Sequence, residues 1–240
     1  MKLFNKQRFK LMKSKQFQKY ILYATGEIIL VIIGILIALW INTMSQENKL
    51  RSDNVDLQKK VLEQIDKDLL VIEAFQKDID TINQIYRRVL NREYDTTKVK
   101  TGAIITSMLF EVNTLSLDRH FNNLVDNAKL DDSQASKEII DINSMYKLYL
   151  KSVDDIEAII FKRMTDNLAE IEKTQDWYVE LITDFVCRND CISYLLNDDD
   201  HKSRIASSRF LVVSGYGGII DSFHEDLIEA KAKLERVIAN

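Results

Sequence analysis

Two cysteines close together in the sequence are the first candidates for chemistry. Cys187 and Cys191 stand four residues apart, around Arg188-Asn189-Asp190. On a regular helix this spacing puts the two Cα atoms near the upper limit for a disulfide, but a turn inside the pair brings them within reach. Redox-active pairs favour two intervening residues, and a zinc site needs two further ligands. We therefore predict a local disulfide between Cys187 and Cys191, formed in an oxidising compartment and holding a turn.

The acidic run at residues 198–201 is a second candidate, because carboxylate oxygens are the ligands that calcium prefers. Asp198, Asp199, Asp200 and His201 follow one another there, without a glycine-containing calcium loop or a later glutamate at the required offset. We expect a solvated turn whose aspartates favour the N-terminus of the next helix. The three histidines stand far apart, and no serine lies in a nucleophile-elbow pattern. The sequence predicts no metal site, no cofactor and no enzymatic activity.

Half of the glycines lie in one stretch, which reads Ser-Gly-Tyr-Gly-Gly over residues 214–218. A glycine-rich turn between a strand and a helix can cradle a phosphate group. This stretch lacks the Lys-Ser/Thr pair of a P-loop and the full spacing of a dinucleotide site. We expect Gly215, Gly217 and Gly218 to serve close helix packing, a kink or a hinge.

Composition indicates that helices must position these residues. The 240 residues include six glycines and no proline, whereas average usage is about 7% glycine and about 5% proline. A chain so poor in turn-forming residues cannot be built from many short strands and hairpins. Apolar residues three and four apart predict long helices over residues 43–92, 133–174 and 203–238, and short helices over residues 103–112, 118–129 and 175–187.

Charge is distributed unevenly along the chain. Residues 1–41 contain seven lysines and arginines and one acid, so the remaining residues carry a net charge of −10. Phosphate contacts dominate the affinity of proteins for nucleic acid, and an acidic body repels phosphate. No nucleic-acid partner is expected.

An apolar segment, residues 20–41, is long enough to cross a membrane. As a helix it spans about 33 Å, and a bilayer core is about 30 Å thick. A charged Glu27 at mid-bilayer costs about 2.5–3.5 kcal/mol, while thirteen isoleucines, leucines and valines contribute roughly 4–8 kcal/mol. Signal peptidase needs small residues, and Ala38-Leu39-Trp40 does not supply them. We predict an uncleaved signal-anchor.

The flanking charges predict how this segment is oriented. The positive-inside rule makes residues 1–19 a basic cytoplasmic head, residues 20–41 a transmembrane helix and residues 42–240 an extracytoplasmic helical bundle. In a bacterium with two membranes, this topology corresponds to the cytoplasmic (inner) membrane, with the C-terminal domain in the periplasm. The predicted fold is all-α, with one N-terminal transmembrane helix continuing into an antiparallel bundle of long helices.

The apolar segment also contains a distinctive motif, which reads GEIILVIIGILIAL over residues 26–39. It resembles the signature of an uncharacterised family of single-pass membrane proteins from Bacteroidota, known only as a domain of unknown function. The resemblance implies a single-pass topology and a bacterial origin. It carries over no catalytic residue.

Glu27 is the most unusual residue of the apolar segment, because intramembrane carboxylates are rare. At 100° per residue, Tyr20, Glu27, Val31, Gly34 and Ala38 lie within about 40° of one line along the helix. Gly34 and Ala38 form a small-x3-small pair, which lets two helices approach closely. We expect this face to contact a second copy of the chain or another membrane protein. The alternatives are a proton or ion path through Glu27, and a carboxylate that snorkels to the headgroups.

These observations predict a membrane-anchored, extracytoplasmic helical bundle that binds or scaffolds other proteins and forms an oligomer. Membrane lipid and another membrane protein, or a second copy, are the expected partners. One alternative is a sensor that passes a helix shift to a cytoplasmic partner. Another is an accessory subunit of a transporter or channel, in contact through Glu27.

Overall fold

A computed structural model of the chain describes residues 15–93, 95 and 101–239. These residues contain eight α-helices, one π-helical segment and no strand, so the predicted all-α fold is confirmed. Most of the predicted basic head, residues 1–14, lies outside the described residues. The elements are α1 (Lys15–Val89), α2 (Thr101–Leu109), α3 (His120–Asp126), α4 (Gln134–Thr174), α5 (Tyr178–Asp184), α6 (Asn189–Asn197), α7 (Asp199–Arg209), the π-helical segment (Phe210–Tyr216) and α8 (Gly217–Ala239).

The chain divides into two compact units, one ending at Val55 and one beginning at Asp56. The first unit contains the N-terminal part of α1 and includes the apolar segment. The second unit contains the rest of α1 and every later element, and its core is a bundle of helices.

Apolar stripes with helical spacing form the core of the bundle. On α1, Val61, Ile65 and Ile72 are completely buried, as the three-four spacing predicts. Ile142 on α4 and Leu227 on α8 occupy equivalent positions in their own stripes. Each such side chain contributes about 1.5–3 kcal/mol by leaving water, so the stripes determine which face of each helix points inward.

α8 runs antiparallel to α1. As residue numbers increase along α1, the residues that its side chains contact near the C-terminus decrease in number. The contacts are Asp66 with Lys231, Gln76 with Asp221, and Asn83 with Arg209. α7, the π-helical segment and α8 follow one another without a gap, so they form one long helical stretch along this side of the bundle.

α4 is also antiparallel to α8, so α1 and α4 run in the same direction. The contacts between α4 and the last stretch are Glu138 with Lys233, Tyr149 with Asp226, and Asn167 with Arg204. The intervening residues therefore have to cross back along the bundle. Arg119 and Asp126 mark this return, because they form ion pairs with Asp154 and Lys147 of α4.

Helix ends confirm part of the predicted pattern. The Oγ of Ser133 accepts a hydrogen bond of 3.1 Å from the backbone N–H of Ser136, which caps α4, and α4 ends at Thr174 as predicted. The last stretch begins at Asp199, earlier than the predicted Ser203. Asp198 is the reason, because its Oδ1 caps α7 by accepting a hydrogen bond of 2.7 Å from the N–H of His201.

The predicted helix over residues 175–187 is wrong at both ends. The helix, α5, covers only Tyr178–Asp184, because Phe185 has a left-handed backbone with φ of 52° and ends it. A further helix, α6, covers Asn189–Asn197, where the sequence predicted no helix. α2 and α3 are likewise shorter than the predicted helices over residues 103–112 and 118–129.

Candidate functional site

The apolar segment of α1 presents a long surface that nothing in the described chain covers. None of the residues in its most apolar stretch is buried, and the large side chains from Tyr20 to Ile41 are all exposed. By length and composition, α1 is the one helix among the described residues that could cross a membrane. An apolar surface of this size is unfavourable in water, so it needs lipid or a protein partner.

The five residues predicted as the membrane contact face lie on this exposed surface. Tyr20, Glu27, Val31 and Ala38 are exposed, and a Cβ built at Gly34 would meet no atom within 4 Å. Glu27 forms no hydrogen bond or ion pair with the described part of the chain. Its carboxyl group is therefore open to lipid headgroups, a second helix or another protein.

Cys187 and Cys191 are joined by a disulfide in the structure, with Cα atoms 5.3 Å apart. Cys187 lies in the loop after α5, and Cys191 lies in the first turn of α6 with its side chain buried. The bridge closes a very small loop, so it restrains the connection between α5 and α6 more than it restrains the whole bundle.

Apolar side chains around this disulfide are exposed to solvent. Phe185 is 80% exposed and Val179 is 68% exposed. We call the exposed apolar residues that lie near the disulfide in sequence the Phe185 tip, and they are Val179, Ile182, Phe185, Val186 and Ile192.

Acidic side chains flank the Phe185 tip. Arg188, the only base among residues 176–190, forms an ion pair of 2.8 Å with Glu180 of α5. Asp184 and Asp190 are exposed, and neither forms an ion pair with the described residues. The tip therefore combines apolar side chains with uncompensated negative charge. Sequence reasoning identified the cysteines here but missed the exposed Phe185, whose only signal was an apolar Phe-Val pair beside them.

The glycine-rich stretch is helical in the structure, so it does not have the strand-turn-helix geometry of a phosphate cradle. Residues Phe210–Tyr216 form the π-helical segment, which is a local break in the regular helix. A Cβ at Gly215 would lie 3.6 Å from Ile156, and one at Gly217 would lie 3.5 Å from Ile79. Gly218 faces open space.

The π-helical segment places Tyr216 at the centre of a polar contact. Its hydroxyl donates a short hydrogen bond to Glu157 and accepts one of 2.8 Å from the N–H of Leu115. Burial raises the pKa of Tyr216 well above its usual range. These bonds attach the returning chain to α4 and to the π-helical segment. A cavity of about 40 Å³ lies beside Tyr216 and holds no more than a few water molecules.

His201 is completely buried, which the sequence did not indicate. Neither ring nitrogen has a hydrogen-bond partner, and the ring lies 5.0 Å from the ring of Tyr194. Burial, and to a lesser degree Arg204, lower the pKa of His201 to about 4, so the ring is neutral at neutral pH. Arg204 itself donates hydrogen bonds to Asn167 and Tyr194.

Asp68 is a second buried titratable group. It accepts hydrogen bonds from Tyr146 and Gln64, and burial raises its pKa. No cation forms an ion pair with Asp68 among the described residues. The hydrogen bonds from Tyr146 and Gln64 satisfy its buried carboxyl group.

No cluster suited to a metal ion is present in the described parts of the chain. Asp198, Asp199 and Asp200 instead lie at the N-terminus of α7, where their negative charges interact favourably with the positive end of the helix dipole. No protein-family model, curated protein or solved structure matches this chain.

Proposed function

We propose that this chain is a single-pass membrane protein whose helical body binds or scaffolds other proteins outside the cytoplasm. The observation that carries the proposal is the apolar surface of α1, which the described chain leaves uncovered. Lipid is the environment in which such a surface is stable. The free-energy cost of placing Glu27 in the membrane is smaller than the gain from inserting thirteen aliphatic side chains. The similarity of residues 26–39 to the Bacteroidota family supports the same topology.

The proposed orientation places residues 1–19 in the cytoplasm and the body in the periplasm of a two-membrane bacterium. Seven basic residues on one side of the segment favour this direction. The bonded geometry of Cys187 and Cys191 agrees with it, because disulfides persist in oxidising compartments and are rare in the cytoplasm.

The binding role follows from what the described chain lacks and what it exposes. No described group of residues has the arrangement of a metal centre, and the cavity beside Tyr216 is too small for an ordinary substrate. The larger clefts of the described body are open to solvent, such as the one of about 460 Å³ lined by Lys67, Asp118 and His120. The exposed features are apolar: the contact face with Glu27 in the membrane segment, and the Phe185 tip on the body. Apolar exposed surfaces of this kind are typical of protein interaction.

Topology is tested with single cysteines in a Cys187→Ser, Cys191→Ser background. Ser193→Cys places a thiol on the exposed surface of α6, and Ser14→Cys places one in the basic head. We expect a membrane-impermeant maleimide to label the first after permeabilisation of the outer membrane and the second only after lysis. The reverse pattern, or release of the protein from membranes by alkaline carbonate, would overturn the proposal.

Self-association is tested by crosslinking the full chain in native membranes. Glu27→Leu removes the polar contact, and Gly34→Leu blocks the close approach of a second helix. Ile29→Leu, on the opposite side of the helix, is the matched control. We expect the oligomer band to weaken in the first two variants only. A crosslinked product with a different membrane protein, lost in Glu27→Leu, would identify the chain as an accessory subunit instead.

A further inference from the structure

The Phe185 tip has a backbone conformation that is unusual for an aromatic residue. Phe185 has φ of 52° and ψ of 33° at the position that follows the last residue of α5. Glycine is the usual residue there, because a side chain in the left-handed region brings its Cβ too close to the following carbonyl oxygen. The phenylalanine gains little from burial in return, since 80% of it is exposed.

Two links restrain the loop at this tip. The disulfide joins the loop after α5 to the first turn of α6, and Arg188 in the same loop pairs with Glu180 of α5. A binding surface that is already ordered loses little conformational entropy when a partner arrives. The two links therefore restrain the loop that presents the tip as an apolar knob.

The charges beside the knob indicate what kind of partner it fits. Residues 176–190 contain four acids and one base, and the base is already paired with Glu180. Exposed Asp184 and Asp190 therefore attract a cationic surface. They repel anionic lipid headgroups, and the body as a whole, with its net charge of −10, repels them as well.

We propose that the Phe185 tip is the docking site for a partner protein that presents an apolar pocket or helix face with a basic rim. This assignment rests on the binding role proposed above and names the surface that performs it. Phe185 is the anchor, since aromatic side chains at the centre of a contact carry most of its binding energy. Asp184 and Asp190 supply the electrostatic selection.

The test uses the full chain held in nanodiscs of zwitterionic lipid and three amphipathic helical peptides as probes. The peptides share one apolar face and carry lysine, glutamine or glutamate on the other. We expect the lysine peptide to bind at least about tenfold more tightly than the glutamate peptide. Equal binding of the three would overturn the assignment of a basic partner.

Two variants locate the binding surface, and each has a matched control. Phe185→Asn removes the aromatic ring and introduces a residue that tolerates the left-handed backbone. We expect this variant to bind the lysine peptide about tenfold more weakly. Phe161→Gln, at a phenylalanine of α4 that is 56% exposed, should leave binding unchanged. Asp184→Asn with Asp190→Asn should weaken binding several-fold, whereas Asp199→Asn with Asp200→Asn makes the same charge change elsewhere and should not. Unchanged binding by Phe185→Asn, with circular dichroism equal to wild type, would overturn the proposal.

A lipid target is an alternative outcome of the same experiment. Capture of the nanodiscs by vesicles containing phosphatidylglycerol, lost in Phe185→Asn, would overturn the assignment of a protein partner. Glu27→Leu separates this proposal from the wider one. If this variant is a monomer and still binds the lysine peptide, self-association has been lost while the docking site at the tip is intact. Loss of membrane anchoring would refute the proposed function and leave the peptide result standing.

Discussion

The hydroxyl of Tyr146 donates a hydrogen bond of 2.8 Å to Oδ2 of Asp68, which lies 78 residues earlier in the chain. Both residues are buried, and the ring of Tyr146 also packs against Phe121 and Phe223. This contact connects α1 to α4 inside the core. Removing one partner leaves the other buried without its hydrogen bond. The free-energy penalty of that unsatisfied group is larger than the net stabilisation that the hydrogen bond provides.

Tyr146→Phe should therefore lower the free energy of unfolding by about 1–3 kcal/mol at neutral pH. Urea unfolding of the full chain in detergent, followed by circular dichroism, measures the change. Tyr149→Phe is the control, because its hydroxyl bonds to Asp226 at the surface and its loss should be smaller. In an Asp68→Asn background the effect of Tyr146→Phe should shrink. Equal losses for the two tyrosines would contradict this account.

His201 should make the bundle sensitive to acid. Its pKa is about 4 in the folded protein and about 6.5 in the unfolded chain, so the unfolded state binds the proton more readily. The contribution of His201 is fully present above pH 6.5 and is lost as the pH falls toward 4, a change of about 3 kcal/mol. Asp198 opposes this shift and Arg204 adds to it.

The measurement is the difference in unfolding free energy between wild type and His201→Leu across this pH range. Taking the difference removes the contributions of other groups, including that of Asp68, whose raised pKa acts in the opposite direction. The unfolding free energy of wild type minus that of His201→Leu should decrease as the pH is lowered from about 6.5 toward 4. Parallel curves for wild type and His201→Leu would refute the role of the buried imidazole.

Gly217→Ala tests whether the glycine-rich stretch needs glycine. Gly217 has φ of −54° and ψ of −44°, which any residue adopts in a helix. A Cβ there would lie 3.5 Å from Ile79, an ordinary contact distance. We expect the free energy of unfolding to rise by about 0.5–1 kcal/mol. Gly218→Ala, which faces open space, gives the helix-propensity effect alone. A loss of stability in Gly217→Ala only would indicate that close packing against Ile79 requires glycine at this position.

Phe185→Gly should stabilise the protein while it removes the proposed anchor. Relief of the left-handed backbone contributes about 1–2 kcal/mol, and the added freedom of glycine in the unfolded chain offsets about 0.4–1 kcal/mol. Thermal unfolding should show a net gain, whereas Thr183→Gly, inside α5, should show a loss. A loss in both variants would mean that the side chain of Phe185 stabilises the fold.

Local patterns in the sequence were sufficient for the class of fold and for several of its elements. The spacing of Val61, Ile65 and Ile72 predicted which face of α1 is buried, because a helix repeats every 3.6 residues whatever surrounds it. Ser133 predicted the start of α4 for the same reason, since a helix cap is made by residues three apart. The uninterrupted apolar run likewise indicated a helix suited to a membrane.

Tertiary structure decided the features that depend on residues far apart in the chain. The pairing of Tyr146 with Asp68 and the burial of His201 arise from packing between helices, for which the spacing along one helix carries no signal. Phe185 ends α5 in a conformation that local propensity disfavours, and the disulfide and the ion pair of Arg188 hold the residues around it. Local patterns were enough for the long helices and their buried faces, because both follow from interactions within a few turns. The direction of each helix and the exposure of the tip required the whole bundle, because only contacts between distant segments distinguish the alternatives.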